Sequence, residues 1–466
     1  MYSPQSTTLL IETVKTDLPF SAIFARVAHQ PYALLFDSAG EYGELGRFKI
    51  MVFDPVFSVE CKAGETALIE HSSGSKSRLD MTPFEAVKHL QHPALDSIDI
   101  ESQVAADTIA ALPFLIGTAG LAGYDSGRFY EQLPSQAAHQ YACPDFAVGL
   151  YEQSLIQDTK TGSIYSCRLS HRPNISWLVD APLPSAAPFA LTSPWQSNLS
   201  KQDYLQALDA VHHYLRAGDC YQVNMAQRFS AQYNGDEWQG FQALSEANEA
   251  PFSAFMRLPT ACVMSISPER FIAVRNKQVE TRPIKGTRPR SDDIETDRLA
   301  AESLLQAEKD RAENLMIVDL LRNDLSKHCL PHSVQVPALF ALESYAAVHH
   351  MVSTVVGQLK PDASPFDLLA GAFPGGSITG APKIRAMEII EELEPHRRNV
   401  YCGSLFYCGY RQDMDSSILI RTLLAENGTL HCWAGGGIVL DSVPQEEYQE
   451  TLDKVARILP VLERLS

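Results

Sequence analysis

The sequence predicts an α+β fold with substantial antiparallel sheet. Three observations carry this. Short apolar segments bounded by Gly, Asp and Pro run through the first part of the chain, a helical period begins at Ser200, and strand-like and helix-like segments alternate over the remainder. Tyr32–Phe36, Phe48–Phe53 and Phe146–Tyr151 read as strands of the first part. From Ser170 to Ser200 the chain carries Pro173, Pro182, Pro184, Pro188 and Pro194 with few charges, which is linker or crossing-segment chemistry. This seam divides the sequence into a sheet-rich unit, residues 1–190, and a second unit, residues 191–466. There Ser200 caps a helix with Asp203 three residues on, Tyr204, Leu208, Val211 and Leu215 line one face, and Gly218 stops it. Further strands are expected at Cys262–Ile266, Phe271–Val274, Ser404–Cys408, Ser417–Leu424 and Leu430–Trp433, and helices over 295–325, 382–394 and 444–464. No internal repeat or low-complexity tract is present.

Composition narrows the function classes. The 466 residues are 45% hydrophobic and 20% charged, with a net charge of −18, which argues against a general nucleic-acid or anionic-membrane surface. Met1–Ser6 lacks a cationic stretch followed by an apolar one, so no secretory leader is expected. The longest apolar run, Ile109–Gly123, contains Pro113 and falls short of the roughly 20 residues that span a bilayer. Nine scattered cysteines without a CxxC pair read as reduced thiols of a cytoplasmic protein. Cys402, Cys408, His431 and Cys432 are the one group worth weighing for zinc, and their spacing fits no familiar ligand pattern.

Any anion site must therefore be local. In Glu280–Ser291, Lys285 stands among Arg282, Arg288 and Arg290 and precedes Gly286, so neighbouring cations are expected to push its ammonium toward a usable amine and to attract an anionic substrate. Two helices carry acids in matching i, i+3 pairs, Asp310 with Glu313 and Glu447 with Glu450, and Lys454 follows one turn later. Facing one another they make an oxygen-rich cage suited to Mg2+, and the helix turning apolar after Glu313 argues against two merely solvated faces. Ala372–Lys383 fails as a phosphate loop, because Ala381–Pro382 separates the last glycine from Lys383, and Ser377 fails as a nucleophile elbow, because Thr379 takes the place of the second glycine. What survives is a Gly-rich turn feeding a helix, with a second such loop at Gly435–Gly437.

Four stretches together resemble the chorismate-utilising enzymes: Pro283-Ile-Lys-Gly-Thr287, Ala312–Asp324, Phe373–Lys383 and Gly435–Ser442. The resemblance runs from about Leu10 to Leu462 and is closest to the branch that aminates chorismate at C4. It implies a layered α/β sandwich with large, mostly antiparallel sheets and a Mg2+ cofactor. By this resemblance Glu313 and Glu450 hold the metal with Asp310 and Glu447 in support, and the metal holds the ring carboxylate. Tyr401, Arg421 and Lys454 match positions that contact the pyruvyl-ether carboxylate, with the amides of Gly436 or Gly437 assisting. His350 matches a histidine near the reacting ring, and Thr287 and Ser377 are further substrate contacts. Glu269, sixteen residues before Lys285, matches the general acid for the departing hydroxyl, and Lys285 the nucleophile toward C2.

Two positions discriminate among relatives of this kind. Anthranilate synthases resemble the chain but usually carry Ala where Lys285 stands and add nitrogen at C2; isochorismate and salicylate synthases activate water with a lysine where this chain has Gln222. Ammonia chemistry at C4 is therefore expected, with amination at C2 or a non-catalytic aromatic-acid-binding subunit as the alternatives. No glutaminase elements are visible, so ammonia is expected from a separate glutamine amidotransferase subunit in a heterodimer. Pro31–Ser38 resembles the region where relatives bind tryptophan, which is expected here as a possible ligand. One departure is Phe406, where the family often has Gly before Tyr407.

Overall fold

The computed structural model describes residues 8–38, 43, 45–95, 98–345 and 348–465; the N-terminal segment Met1–Ser6 lies outside them. Two large sheets, one of 14 and one of 12 strands, form the body of the protein. Among the described residues every pairing between named strands is antiparallel except that of Thr8–Val14 with Asp99–Ser102.

Period-two alternation builds the layers, because successive side chains of a strand leave on opposite faces. In Leu34–Asp37, Leu34 joins Val59, Leu121 and Val148 of the other sheet, whereas Leu35 joins Phe24, Phe241 and Leu462 beneath helices. Ile50 and Met51 divide in the same way, as do Ile156 and Leu155. The first sheet is thus clamped between the second sheet and a layer that includes Phe20–Phe24, Glu237–Asn248 and Leu459–Glu463. Helices Pro83–Leu95, Glu308–Ser326 and Pro365–Ala372 cover the second sheet. At one end of the first sheet, Lys201–Ala217 and Lys383–Leu393 enclose a third core around Leu208, Val223, Ile389 and Ile438. The layered, mostly antiparallel sandwich is the expected architecture.

Strands from both sides of residue 190 share both sheets. Leu34–Asp37 pairs with Phe252–Arg257, and Gly117–Ala122 pairs with Ser404–Gly409. The proline-rich crossing holds two short strands, Ala190–Leu191 and Gln196–Ser197, both paired to Gln222–Asn234.

Two long helices differ from expectation. The span 295–325 is two helices, Ile294–Gln306 and Glu308–Ser326, because Ala307 adopts an extended ψ of 99°. Leu304 is fully buried beside the strand that bears Lys285, and the break lets the second helix start in a new direction. The span 444–464 divides at Ile458, two residues before Pro460, whose ring cannot continue a helical hydrogen-bond ladder. Ser417–Leu424 is also interrupted: one strand ends at Ser417, the next starts at Thr422, and Arg421 turns the chain at φ 51°. Around Ser200 the reading holds, with a reciprocal Ser200–Asp203 capping box and Gly218 in the left-handed conformation at φ 80°.

The outer core depends on a knot of aromatic rings. Phe255 packs against Trp238 and Phe241 with centroids 5.3 and 5.6 Å away. Replacing this fully buried ring by Ala should lower stability by about 3–5 kcal/mol, read as a fall in the urea midpoint followed by circular dichroism.

Candidate active site

One cavity of about 550 Å³ collects nearly all the sequence-predicted site residues. Lys285, Glu269, Tyr401, Arg421, Lys454, His350, Thr287, Ser377, Gly437, Glu313, Glu450, Glu447 and Asp310 all line it; Gly436 does not.

Lys285 belongs to Ile284–Pro289, which pairs with Val348–Gln358 so that Thr287 lies opposite His350. The register slips between Ile284 and Thr287, an irregularity of the kind that re-aims a side chain. Gly286 has φ 81°, and a Cβ there would stand 2.7 Å from Leu304 and 3.1 Å from the Asp310 carboxylate, so only glycine lets this strand approach the helices. Lys285 Nζ comes within 4.0 Å of Glu313 Oε2. The three arginines do not surround it as bare charges. Arg282 pairs with Glu343, Arg288 with Asp310 at 3.3 Å and Arg290 with Asp297 at 2.8 Å, so each is matched by its own acid. The expected cationic pressure on Lys285 is corrected accordingly: the charge it pairs with is the Glu313 carboxylate.

Glu269 follows the strand Cys262–Ser267 across Pro268 and is 7% exposed. Burial pushes its carboxyl up to about 7, against the opposing pull of Lys285, the Ser377 hydroxyl, Lys454 and the Ile284 amide. This is the environment of a proton donor near neutral pH. His350 moves the other way: burial, with Arg421 and His349 nearby, lowers its imidazole to about 4, and Nδ1 lies 2.9 Å from the Thr287 hydroxyl.

The Gly-rich turn feeds the cavity through Ser377 and Ile378. The first turn of Lys383–Leu393 is used structurally, because Lys383 bonds Asp324 and the Ala372 carbonyl, both at 2.8 Å. Tyr401 lies parallel to Trp433, with 6.0 Å between centroids and 4° between planes. Phe406 is buried instead among Phe84 and Phe366 and does not line the cavity, so its substitution leaves the Tyr401 wall untouched.

A model of the family described as chorismate binding enzyme matches residues 33–460. The chain belongs to the chorismate-binding enzymes. It is 48% identical to aminodeoxychorismate synthase component 1 of Salmonella typhimurium over 442 residues, covering 94% of this chain and 95% of that one. It is 47% identical to the Escherichia coli protein of the same name, covering 95% of each. The crystal structure of anthranilate synthase component I from Streptococcus pneumoniae superimposes with a TM-score of 0.75 at 30% identity, over 89% of this chain and 92% of that one.

In this chorismate-binding enzyme the donor set fits a hard divalent ion. Asp310, Glu313, Glu447 and Glu450 offer only oxygens. A Cβ on Gly436 would come 3.1 Å from Glu447 Oε2 and 3.4 Å from Glu450 Oε1, so the glycine is what admits both carboxylates to the strand. Among the described residues no three acidic, histidine or cysteine side chains converge on one point, and the acids lean on cations instead. Lys309 meets Glu447 at 3.1 Å and Lys454 meets Glu450 at 2.6 Å. Burial raises the Glu313 carboxyl, whereas for Glu450 the lysines outweigh burial and lower it. Mg2+ needs only one or two protein carboxylates beside its waters and a substrate anion, which this set provides.

Asn224, Lys309 and Trp433 also line the cavity and were missed from the sequence. Lys309 precedes Glu313 by one helical turn, and Trp433 shares the period-two face of Gly435 and Gly437, so both had a signal. The zinc group does not form: all four residues are buried, or nearly so, and His431 bonds Ser230 at 2.8 Å.

The depressed His350 has a consequence in acid. Between about 4 and 6.5 the unfolded chain protonates this ring and the folded one does not, so its contribution to stability is lost as pH falls through that window. Carbon-detected NMR of labelled histidine should show His350 neutral at pH 5.5, and a mid-point near 6.5 would contradict the account.

Proposed function

We propose that this enzyme exchanges the C4 hydroxyl of chorismate for ammonia, giving 4-amino-4-deoxychorismate for p-aminobenzoate and folate synthesis. The observation that carries it is the pairing of a carboxyl raised to about 7, Glu269, with Lys285 in one cavity. Hydroxide is a poor leaving group, so the step needs a proton donor, and a covalent intermediate divides one hard displacement into two easier ones.

In this reading Tyr401, Arg421 and Lys454 hold the pyruvyl carboxylate, with the amide of Gly436 or Gly437 assisting, while His350, Thr287 and Ser377 orient the ring. Glu313 and Glu450, with Asp310 and Glu447 in support, would hold Mg2+, which when bound would supply a Lewis acid at the ring carboxylate. Glu269 gives its proton to the C4 hydroxyl, which leaves as water as the Lys285 amine bonds to C2 and the ring double bonds shift. Ammonia then bonds to C4, the double bonds shift back, the C2–N bond breaks with its electron pair leaving on the Lys285 amine, and the new C4 ammonium gives up the proton that restores Glu269. Because Lys285 occupies C2, nitrogen is retained only at C4, and the pyruvyl group stays on the ring.

Ammonia arrives from a glutamine amidotransferase subunit, so the working assembly is a heterodimer in the cytoplasm. Relatives named component 1 imply a second component, and all nine cysteines here are buried, unlike the accessible thiolate that glutamine hydrolysis requires. No helix among the described residues is long and apolar enough to cross a membrane. Tryptophan is proposed for a separate cavity of about 790 Å³ whose wall includes Phe36 and Ser38, and its release on denaturing the purified protein tests this.

With chorismate, Mg2+ and ammonium, the purified chain should yield p-aminobenzoate only when an aminodeoxychorismate lyase is added; anthranilate without lyase would overturn the assignment. Lys285→Ala should lose C4 amination and gain anthranilate. At constant free ammonia, kcat/KM for chorismate should fall tenfold per pH unit above about 7, as Glu269 ionises. Glu269→Gln should remove that limb and lower kcat by about 10²–10⁴-fold.

A further inference from the structure

We propose that Lys309 is a place-holding cation, whose ammonium neutralises the carboxylate cage until a divalent ion displaces it, and which thereby sets the affinity of the site for that ion. The inference rests on the metal reading of the cage given above, but it concerns a residue to which that reading gives no role.

Lys309 Nζ lies 3.1 Å from Glu447 Oε1, and Glu447 is 4% exposed. The same oxygen accepts from the Ser442 hydroxyl at 2.6 Å, and its partner oxygen faces the bare Cα of Gly436, so this carboxylate cannot turn away to water. A carboxylate fixed in that position needs a counter-charge. Glu313 and Glu450 are the other acidic neighbours of Lys309. Of the other cations lining the cavity, Lys454 bonds Glu450 and the Gly435 carbonyl, Arg288 bonds Asp310, Lys285 faces Glu313, and Arg421 lies near His350. Among the described residues, the cation that answers Glu447 is Lys309.

The geometry also lets it leave. Lys309 occupies the first turn of Glu308–Ser326, one turn ahead of Glu313, so one helix carries both a proposed metal ligand and the charge that competes with the metal. Its side chain is 49% exposed, and a long flexible stem can move the ammonium into water without disturbing the core. A divalent ion and the ammonium cannot both take the Glu447 oxygen at bonding distance, so binding of one entails release of the other.

The test is calorimetric titration of Mg2+ into the purified, substrate-free chain, with thermal unfolding measured in chelator and in saturating Mg2+. Lys309→Met keeps the length of the stem and removes the competitor. It should bind Mg2+ about tenfold more tightly, the scale of one charge-assisted hydrogen bond, and melt below the wild type in chelator but level with it in Mg2+. Arg311→Met removes the same charge from the same helix, but Arg311 stacks on Phe340 at 5.0 Å and does not touch the cage, so its Mg2+ affinity should stay within about twofold of wild type. Unchanged or weaker binding in Lys309→Met, equal tightening in Arg311→Met, or no Mg2+ binding by the wild type would each overturn the proposal. Because substrate is absent, these outcomes are independent of which product the enzyme makes.

Discussion

The site depends on one buried ion pair. Arg398, 1% exposed, grips Glu394 through two contacts, 2.6 Å from Nη2 to Oε1 and 3.0 Å from Nε to Oε2. Burial works against its charge, and Glu394 restores it. Its other donors reach the carbonyls of Ile378 and Asn224, both at 2.8 Å, and Glu394 in turn accepts the Ala226 amide at 2.9 Å. Three segments are thereby fixed to one guanidinium: the Gly-rich turn with Ser377, the strand Gln222–Asn234, and the end of Lys383–Leu393. Stacking of Arg398 under Tyr401 at 5.6 Å and Tyr124 at 5.0 Å adds the aromatic wall. Removing one partner of such a pair leaves an uncompensated charge at a cost of about 3–5 kcal/mol, which is why so much of the cavity wall can hang on it. Gln222–Asn234 then pairs along ten positions with Thr429–Ile438, which carries Trp433, Gly435 and Gly437 to the cavity.

Burial does opposite work on neighbouring groups. The dry wall that keeps the Glu269 proton on also keeps the His350 ring neutral, since desolvation disfavours whichever form is charged. The lysines are what make the acids tolerable. Lys285, Lys309 and Lys454 are spread over a strand and two helices and pair with Glu313, Glu447 and Glu450, Arg288 answers Asp310, and the charges of Lys285 and Lys454 act on Glu269. A cavity of this kind is polar and charged, yet it is closed by glycines wherever a strand must approach an acid, as at Gly286 and Gly436.

Much of this was legible in the sequence because the chemistry sits in contiguous motifs. Glu269, Lys285, the two acid pairs and Gly437 with Ser377 all line one cavity, as their resemblance to the chorismate-utilising enzymes implied. What the sequence hid was tertiary in origin. Nothing in Leu304-Leu-Gln-Ala-Glu308 opposes a continuous helix, and the break at Ala307 follows from packing of Leu304 against the Lys285 strand. The arginines around Lys285 looked like a charged cluster because their partners, Glu343, Asp310 and Asp297, lie on other elements. Arg398 gave no signal either: between a helix end and Asn399 it resembles any exposed loop cation, and only the fold buries it. The proline-rich crossing marked a change of composition, but strands on either side of it join the same sheets, so pairing rather than composition decides where one body ends.

The central claim is that the Lys285 amine occupies C2 while C4 is exposed to ammonia. Incubating the enzyme with chorismate and Mg2+ in ammonia-free buffer, quenching in acid and mapping peptides by mass spectrometry tests this directly. The account predicts an adduct on the peptide bearing Lys285 with the mass of chorismate less one water, discharged when ammonium is added before the quench. An enzyme that aminates chorismate at C4 but shows no such adduct, or carries it on another residue, would contradict it.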